Sequence, residues 1–322
     1  MEYTRLTGTG LSISRMCLGT MTFGEQINEQ DAAKAVDYAL DQGVTMLDTA
    51  NRYTGGKSEE ILGRILSGKR DKVILATKVG NPVHDGPNGK GLSRKHMLTE
   101  LEKSLKRLRT DYIDFYYLHA PDMNTPLHET LETMDILVRS GKVLYFGVSN
   151  HAAWQICDIC HYCDTEHRAR PVVNQVVYNM MTRGIEQEYI PFAQKHQVGT
   201  IVYNPLAGGF LTDKYASKQK IENARFTLTP MYAGRYWNDA NLAAWDDIHA
   251  IAEQAGAPMH ELAMRWVLSN RAIDAVLVGF SCMEQLAMNL KALEAGALPA
   301  DIMAACDAVW NKLSGSRVSY IR

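Results

Sequence analysis

Short apolar runs alternate with longer segments of helical periodicity along the 322-residue chain. Each run is rich in β-forming residues, and between the runs apolar residues recur every three or four positions. This alternation is typical of β-α units that surround a parallel sheet. The runs predict eight strands, at residues 16–19, 44–48, 73–78, 113–119, 144–149, 172–177, 200–204 and 275–279.

Two helices and a hairpin have recognisable ends. Residues 31–41 are predicted to be helical and to end near Gly43, because glycine is a favoured C-terminal cap. Ser93 is predicted to cap the helix that begins at the next residue, since serine is a favoured N-cap. Residues 4–14, with Gly8 and Gly10 between short β-forming stretches, predict a hairpin before the first β-α unit.

Eight β-α units in a chain of this length predict a single (β/α)8 TIM barrel over residues 1–322. No linker rich in Pro, Gly or Ser divides the chain. Two long excursions interrupt the alternation, residues 80–92 after the third strand and residues 206–237 after the seventh. Because barrel enzymes carry their active sites at the C-terminal ends of the strands, these loops are predicted to wall a pocket.

Four polar residues lie at or just beyond the ends of apolar runs. Asp48, Lys78 and His119 end the second, third and fourth runs, and Tyr53 follows Asp48 by five residues. Taken singly, each is better explained as a strand cap, a surface residue or a buried histidine. Because a barrel brings the ends of neighbouring strands to one face, we expect the four side chains to converge.

Together these side chains suit general acid catalysis on a carbonyl oxygen. A phenol has a pKa near ~10, and a neighbouring ammonium group stabilises its anion. Lys78 is predicted to supply that charge to Tyr53, and Asp48 to hold Lys78 by ion pairing. His119 is predicted to share a hydrogen bond with the same substrate oxygen. None of these groups supplies electrons, so a reduction needs a cofactor that delivers hydride.

Sequence motifs narrow the class of enzyme. The chain has no G-x-G-x-x-G before a helix, so a Rossmann dinucleotide site is not predicted. It also has no G-x-S-x-G and no H-E-x-x-H motif. A barrel offers another phosphate site in the loops after strands seven and eight. The seventh loop contains Gly208 and Gly209, whose backbone N–H groups are predicted to approach an anion, with Lys214 nearby.

Composition and charge exclude several kinds of partner. Hydrophobic residues make up 46% of the chain, and the formal net charge is −2. The basic residues are dispersed, so no nucleic-acid partner is predicted. No window resembles a signal peptide or a membrane span, so we predict a cytoplasmic protein without membrane contact. The oligomeric state is not predictable from the sequence.

Six cysteines without a secretion signal favour reduced thiols over a disulfide framework. Cys157, Cys160 and His161 match the C-x-x-C-H haem-attachment pattern, and Cys163 extends it. The same segment, with Trp154, also has the spacing of an apolar helix face. We interpret the cysteines as helix residues and predict no metal site, with metal or redox chemistry as the alternative.

Long stretches of the chain resemble the aldo-keto reductase superfamily. The most specific are DYIDFYYLH at 111–119 and GVSN at 147–150. The resemblance implies an NAD(P)H-dependent enzyme that reduces aldehydes or ketones to alcohols, or catalyses the reverse, on a (β/α)8 barrel with Tyr53 as proton donor. The matching stretches are residues 18–24, 47–63, 76–80, 92–122, 141–150, 174–179, 203–215 and 276–290.

The resemblance also implies which residues contact the cofactor. Ser149, Asn150 and Gln175 would hold the nicotinamide carboxamide, and Tyr203 would stack on the ring. The other implied contacts are Gly19, Thr20 and Met21 beneath the nicotinamide, Leu206, Gly208 and Lys214 at the pyrophosphate, Gln285 and Asn289 at the adenine, and Asp48, Asn204, Pro205, Arg225, Gly279 and Ser281.

Cofactor choice depends on residues 280–282. Many members of the family carry Arg or Lys near Ser281, which pairs with the 2′-phosphate of NADPH, whereas this chain has Phe280 and Cys282 beside the serine. We predict NADPH from the habit of the family, with Arg225 as the cation that reaches the phosphates and NADH as the alternative. The family also includes channel-associated β subunits, so a nicotinamide-binding regulatory subunit of low activity is the alternative function.

The predicted substrate is a small carbonyl compound. Its pocket is expected to be walled by Met21, Phe23, residues 80–92 and the aromatic residues Tyr232, Tyr236 and Trp237. No basic cluster in these loops indicates a substrate that carries a carboxylate or a phosphate. Small aldehydes, α-dicarbonyls and open-chain sugars therefore all fit.

Overall fold

The computed structural model describes residues 1–222 and 224–315, which pack as two compact units. The first, here called the barrel unit, comprises Met1–Val176, Glu186–Tyr203 and Ala272–Leu286. The second unit comprises Val177–Ile185, Asn204–Arg271 and the described residues from 287 onward. The prediction of a single domain stays a prediction.

Eight parallel strands form a closed barrel, which confirms the predicted (β/α)8 fold. All eight predicted strands are present, and their ends differ from the predicted ends by at most two residues. A two-stranded antiparallel sheet of β1 (Tyr3–Arg5) and β2 (Ser12–Ser14) confirms the hairpin. The barrel strands are β3 (Met16–Gly19), β4 (Met46–Asp48), β5 (Ile74–Val79), β6 (Ile113–Leu118), β7 (Val143–Ser149), β8 (Val173–Val177), β9 (Gly199–Tyr203) and β10 (Ala275–Val278).

Helices separate the strands along the chain, and local capping chemistry sets where several begin. Ser93 accepts a hydrogen bond from the His96 N–H and caps its helix, as predicted. The first helix begins at Glu29, earlier than predicted, because Asn28 caps it by accepting from the Asp31 N–H. The helices are α1 (Glu29–Asp41), α2 (Lys57–Ile65), α3 (Arg94–Leu108), α4 (Leu127–Arg139), α5 (Ala153–Thr165), α6 (Tyr189–His196), α7 (Arg225–Leu228), α8 (Pro230–Tyr236), α9 (Asp239–Gln254), α10 (Met259–Ser269), α11 (Met283–Glu294) and α12 (Ala300–Ser314).

The barrel interior is apolar over most of its length and polar at the C-terminal ends of the strands. Phe115, Ile201 and other strand residues form one buried cluster, to which the hairpin contributes Leu6 and Ile13. Burying one such side chain stabilises the fold by roughly 1.5–3 kcal/mol. At the strand ends, the charged side chains of Asp48 and Lys78 are buried as well. The fold tolerates these two buried charges because they form an ion pair with each other.

The two predicted excursions differ in structure. Residues 80–92 contain neither helix nor strand, as expected for a loop. Residues 206–237 contain α7, α8 and two short 3-10 turns, Ala207–Gly209 and Asp213–Tyr215, so this excursion is more ordered than a plain loop.

The cysteines of α5 pack as helix residues, as interpreted. Cys160 and Cys163 are buried, and burial raises the pKa of the Cys163 thiol to about 12. Cys157 is exposed, as is Trp154, which the sequence had placed on the apolar face. Among the described residues, no three His, Cys, Asp or Glu side chains are grouped as metal ligands, and no helix has the length and apolar character of a membrane span.

Candidate active site

The structure brings the four predicted catalytic side chains together in the barrel unit. Asp48 is the last residue of β4, Lys78 lies in β5, and His119 directly follows β6. Tyr53 begins a 3-10 turn, Tyr53–Gly56, that leads from β4 into α2. Because β4, β5 and β6 are neighbours in parallel register, their ends place these groups on one face.

The Lys78 ammonium group is the centre of this cluster. Its Nζ donates to the Asp48 carboxylate, to the Thr49 carbonyl oxygen at 2.8 Å and to the Tyr53 hydroxyl at 3.3 Å. An ammonium has three N–H bonds, so all of them are engaged. Its position is therefore fixed in three directions.

Lys78 is held in its charged form. Burial acts to lower the pKa of this ammonium, but the Asp48 carboxylate and then Tyr53 outweigh burial, and the pKa is raised. A permanent positive charge next to the Tyr53 hydroxyl favours release of its proton, because it stabilises the resulting phenolate.

His119 is the neutral member of the cluster. Its ring meets that of Tyr53 edge to face, with centroids 5.9 Å apart, and its Nδ1 is buried without a hydrogen-bond partner among the described residues. Desolvation, followed by the charges of Lys78 and Arg52, lowers the pKa of His119 to about 3. An imidazole that is uncharged at neutral pH is suited to hydrogen bonding and not to supplying a proton.

Other buried polar groups hold Asp48 and its neighbours in place. Gln175 Nε2 donates to Asp48 Oδ2 at 2.9 Å, and Thr20 Oγ1 donates to the Asp48 carbonyl oxygen at 2.9 Å. Ser58 Oγ lies 2.9 Å from Thr20 Oγ1 and 2.8 Å from Thr49 Oγ1. The sequence analysis did not predict a role for Ser58. The signal that could have indicated it is a serine beside the apolar residues of α2.

The residues predicted to hold the carboxamide form one hydrogen-bonded network with the catalytic cluster. Asn150 Nδ2 donates to the His119 carbonyl oxygen at 3.1 Å and to Ser149 Oγ at 3.0 Å, and the Tyr203 hydroxyl donates to Asn150 Oδ1 at 2.8 Å. Ser149 Oγ in turn donates to the Gln175 carbonyl oxygen at 2.9 Å. Amide and hydroxyl groups match the two donors and one acceptor of a carboxamide, so this donor set fits a nicotinamide.

The remaining contacts predicted within the barrel unit lie at the ends of β3 and β10. Gly19 ends β3, Thr20 is buried, and Met21 is exposed. Gly279 directly follows β10. Phe23 is fully buried against Phe280, with ring centroids 6.0 Å apart, so it does not form the predicted open pocket wall.

Ser281 lies in a cavity of about 260 Å³ in the barrel unit. Gln285 Oε1 accepts hydrogen bonds from the N–H and the Oγ of Ser281 at 2.9 and 3.0 Å. Two lining residues are carboxylates, Asp31 and Glu284, and no Lys or Arg is among the described residues that line it. The cavity supplies hydroxyl and amide groups without a fixed cation.

In the second unit, the predicted phosphate contacts are grouped around a strained turn. Gly208 has φ +72°, and a Cβ there would lie 2.6 Å from the Tyr232 ring, so only glycine fits. Asn204 Oδ1 accepts from the Gly208 N–H at 2.6 Å. The N–H groups of residues 207–211 are all hydrogen-bonded within this turn. These backbone N–H groups are therefore not available to an anion, and only side chains can attract one here.

Lys214 and Arg225 supply positive charge near this turn. Arg225 lies 5.0 Å above the Tyr232 ring, and a Cβ on Gly209 would lie 3.0 Å from Lys214 Nζ. Lys214 is exposed, but desolvation of its ammonium and then the charge of Arg225 lower its pKa. The two positive charges repel each other, so this pair of side chains is suited to binding a polyanion such as a pyrophosphate.

Other predicted residues of this unit have structural contacts. Pro205 and Asn289 are buried, and Leu206 is partly exposed. Tyr236 is also buried, and its hydroxyl accepts from Asn179 Nδ2 at 3.1 Å and from Asn204 Nδ2 at 2.8 Å. The placement of Tyr236 in a pocket wall was therefore wrong, because its hydroxyl fastens the chain near residue 204.

Comparisons with known proteins show the family of the chain. The model of the Aldo/keto reductase family matches residues 15–311. The chain is 36% identical to human aflatoxin B1 aldehyde reductase member 2 over 95% of its length and 89% of that protein. It is 37% identical to the uncharacterized oxidoreductase YrpG of Bacillus subtilis over 91% of both chains. It is 35% identical to a probable voltage-gated potassium channel subunit beta of Arabidopsis thaliana over 91% of its length and 92% of that protein. The chain belongs to the aldo/keto reductase family.

Proposed function

We propose that this protein reduces aldehydes or ketones to alcohols, or catalyses the reverse, with NADPH as the hydride donor, NADH as the alternative donor, and Tyr53 as the general acid. The observation that carries the proposal is the Tyr53 hydroxyl 3.3 Å from an ammonium that is buried and paired with Asp48. A relative named as an aldehyde reductase supports the same reaction class.

The proton is delivered by the protein's own side chains. When bound, the cofactor supplies hydride to the carbonyl carbon. As that carbon accepts the pair, the carbonyl π electrons move to the oxygen, and the oxygen takes the proton of the Tyr53 hydroxyl. Lys78 stabilises the phenolate that remains, Asp48 keeps Lys78 in place, and solvent returns the proton. The neutral His119 is suited to hydrogen-bond the substrate oxygen and orient it.

Each of the two units, taken by itself, offers groups suited to part of the cofactor. Ser149, Asn150 and Gln175 offer donors and acceptors for the carboxamide, and Tyr203 offers an aromatic face. Lys214 and Arg225 offer charge for the phosphates. NADPH is preferred over NADH on the habit of the family. We place the reaction in the cytoplasm.

The test separates proton transfer from cofactor binding. Tyr53→Phe removes only the hydroxyl, so turnover of an aldehyde such as 4-nitrobenzaldehyde is expected to fall by roughly 100-fold to 10,000-fold, the range typical of one general acid. Quenching of tryptophan fluorescence by NADPH should be retained. Turnover that survives the substitution would contradict the role of Tyr53.

A second function is supported by the relative named as a channel subunit beta. A regulatory subunit would bind the cofactor and turn over carbonyl compounds slowly. Wild-type protein that binds NADPH tightly, but reduces aldehydes no faster than Tyr53→Phe, would favour this alternative. Binding of neither NADPH nor NADH would contradict both functions.

A further inference from the structure

Ser58 lies where three segments that carry the catalytic cluster meet. It is the second residue of α2, and its side chain is fully buried in the barrel unit. Its Oγ donates to the Thr20 carbonyl oxygen at 2.9 Å, just beyond β3, and lies 2.8 Å from Thr49 Oγ1, just beyond β4. Its backbone N–H donates to Thr54 Oγ1 at 3.1 Å, in the turn that begins at Tyr53. One residue therefore contacts the ends of two barrel strands and the turn of the proposed proton donor.

The hydroxyl groups of Thr20, Thr49 and Ser58 form a chain with one direction. All three residues are fully buried, and each hydroxyl has a single hydrogen to donate. Thr20 Oγ1 donates to the Asp48 carbonyl oxygen, and Ser58 Oγ donates to the carbonyl oxygen of Thr20. Because the hydrogen of Ser58 is used there, Thr49 Oγ1 is the donor in its contact with Ser58 Oγ. Ser58 is thus the acceptor that holds the Thr49 hydroxyl.

Thr49 is also the residue that receives the Lys78 ammonium group. Its carbonyl oxygen accepts from Lys78 Nζ at 2.8 Å, and its N–H donates to the Ala76 carbonyl oxygen at 2.9 Å. The backbone of Thr49 is therefore bonded to β5, while its side chain is bonded to Ser58 of α2. Lys78 Nζ lies 3.3 Å from the Tyr53 hydroxyl, which is longer than most N–H···O hydrogen bonds. A further displacement of the ammonium would therefore weaken this contact.

We propose that Ser58 is a positioning residue for the proposed reduction, because its hydroxyl holds the segment of Thr49 that receives the Lys78 ammonium. This contact keeps the positive charge of Lys78 within reach of the Tyr53 hydroxyl. The inference rests on the proposed reductase function and adds a residue that acts on the proton donor through Lys78. A nearby ammonium stabilises the phenolate that forms when the proton leaves, and the stabilisation falls with distance.

The charged and titratable groups around the Tyr53 hydroxyl come from β4, β5, the end of β6 and the segment between β4 and α2. Lys78 donates to the hydroxyl, and Asp48 pairs with Lys78. The ring of His119 packs edge to face against that of Tyr53, and the charge of Arg52 acts on His119. The hydroxyl chain adds no charge to this set. Its proposed effect is therefore one of placement, and a substitution in the chain leaves the number of charges unchanged.

The test follows the reduction of 4-nitrobenzaldehyde at saturating NADPH over a range of pH. Reduction requires the protonated phenol, so kcat/KM is expected to fall on the alkaline side as Tyr53 loses its proton. Ser58→Ala removes the hydroxyl and keeps the backbone N–H that bonds Thr54. With Lys78 less well placed, the phenolate forms at higher pH. The alkaline fall should move up by about half to one pH unit, and kcat/KM at pH 7 should drop about threefold to tenfold, the range for one hydrogen bond.

Other variants separate this role from a general loss of packing. Thr49→Val removes the hydroxyl at the other end of the contact and should move the alkaline fall in the same direction, whereas Thr49→Ser keeps the hydroxyl and should move it less. Because one contact is involved, Ser58→Ala combined with Thr49→Val should move it no further than either alone. Ser104→Ala is the matched control, since it removes a fully buried serine hydroxyl from α3, and it should keep the wild-type profile. Quenching of tryptophan fluorescence by NADPH should be the same in all of these proteins.

Several results would overturn the inference. A lower kcat/KM in Ser58→Ala and Thr49→Val, with the alkaline fall at the wild-type pH, would show that the contact only supports the fold. An equal movement in Ser104→Ala would indicate a general response to a lost buried hydroxyl. Movements that add in the double variant would show that Ser58 does not act through Thr49. A wild-type protein that binds NADPH but reduces no aldehyde would contradict the proposed function itself, and the inference with it.

Discussion

The catalytic end of the barrel and the turn after β9 both carry positive charge, but among the described residues only the lysine of the first is paired with a carboxylate. Lys78 is bonded to three oxygen atoms, one of them from a carboxylate. Lys214 has Arg225 as its neighbour, and that charge lowers its pKa. The difference leads us to expect that the charge of the first region is balanced without a ligand, whereas the second would gain stability from a bound anion.

The largest expected effect comes from breaking the compensated region. Lys78→Met would leave the Asp48 carboxylate buried without its counter-charge, which typically costs about 3–5 kcal/mol of the free energy of unfolding. Urea denaturation of the two proteins measures this loss. Lys106→Met, on the outer surface of α3, is the matched control and should change little. A loss below ~1 kcal/mol for Lys78→Met would show that Asp48 is stabilised without the lysine.

Acid should also destabilise the barrel unit, because two of its imidazoles are neutral when folded. Burial lowers the pKa of His119 to about 3 and that of His151 to about 4. As the pH falls below ~6.5, the unfolded chain takes up protons first, so stability that is complete above that pH is lost toward the folded-state values. The loss is at most ~1.4 kcal/mol per pH unit for each imidazole.

This acid dependence is measured by urea denaturation at several pH values between 7.5 and 4.5. His119→Asn and His151→Asn should each give a shallower fall of the free energy of unfolding with pH than the wild type. Because the slope is compared, a general loss of stability in either variant does not affect the result. Slopes equal to that of the wild type would show that these imidazoles are protonated in the folded protein.

The smallest effect is expected where charge is left uncompensated. Lys214→Met should weaken NADPH binding by about tenfold, which is the range for losing one charge-assisted contact. Without cofactor, the free energy of unfolding should stay the same or rise slightly, because repulsion from Arg225 is relieved. Fluorescence titration and urea denaturation measure the two quantities. The control Lys218→Met removes an exposed lysine paired with Asp246 and should leave affinity unchanged.

If Lys214→Met lowered the free energy of unfolding without changing the affinity for NADPH, the difference between the two regions would not hold. It would mean that this lysine supports the fold of its own unit and has no part in attracting phosphates. Equal loss of NADPH and NADH affinity would place Lys214 at the pyrophosphate, whereas a selective loss of NADPH affinity would place it at the 2′-phosphate.

The strands and the catalytic cluster were predictable because each depends on a short stretch of sequence and on a rule of topology. An apolar run that ends in Asp48 or Lys78 marks both a strand and its functional end. Contacts between distant side chains were not predictable in this way. Gln175 donates to a carboxylate 127 positions earlier in the chain, and no local pattern indicates that pairing.

Two aromatic residues and a cap show where sequence reasoning failed. Phe23 and Tyr236 were expected in pocket walls because large aromatics often line binding clefts, but tertiary packing buries both. The start of α1 was missed because Asn28 precedes the apolar periodicity that predicted the helix. Whether a side chain is buried, and which residue caps a helix, depends on residues outside the periodic segment, so the periodicity of that segment does not predict them.

The three bonds made by the Lys78 ammonium also determine which reaction does not occur. A lysine can attack an aldehyde and form a Schiff base only through a free, unprotonated amine. Lys78 lies beside the proposed site of a carbonyl group, yet its pKa is raised and each of its N–H bonds points to an oxygen of the protein. The same contacts that would stabilise a phenolate therefore keep Lys78 from trapping an aldehyde covalently.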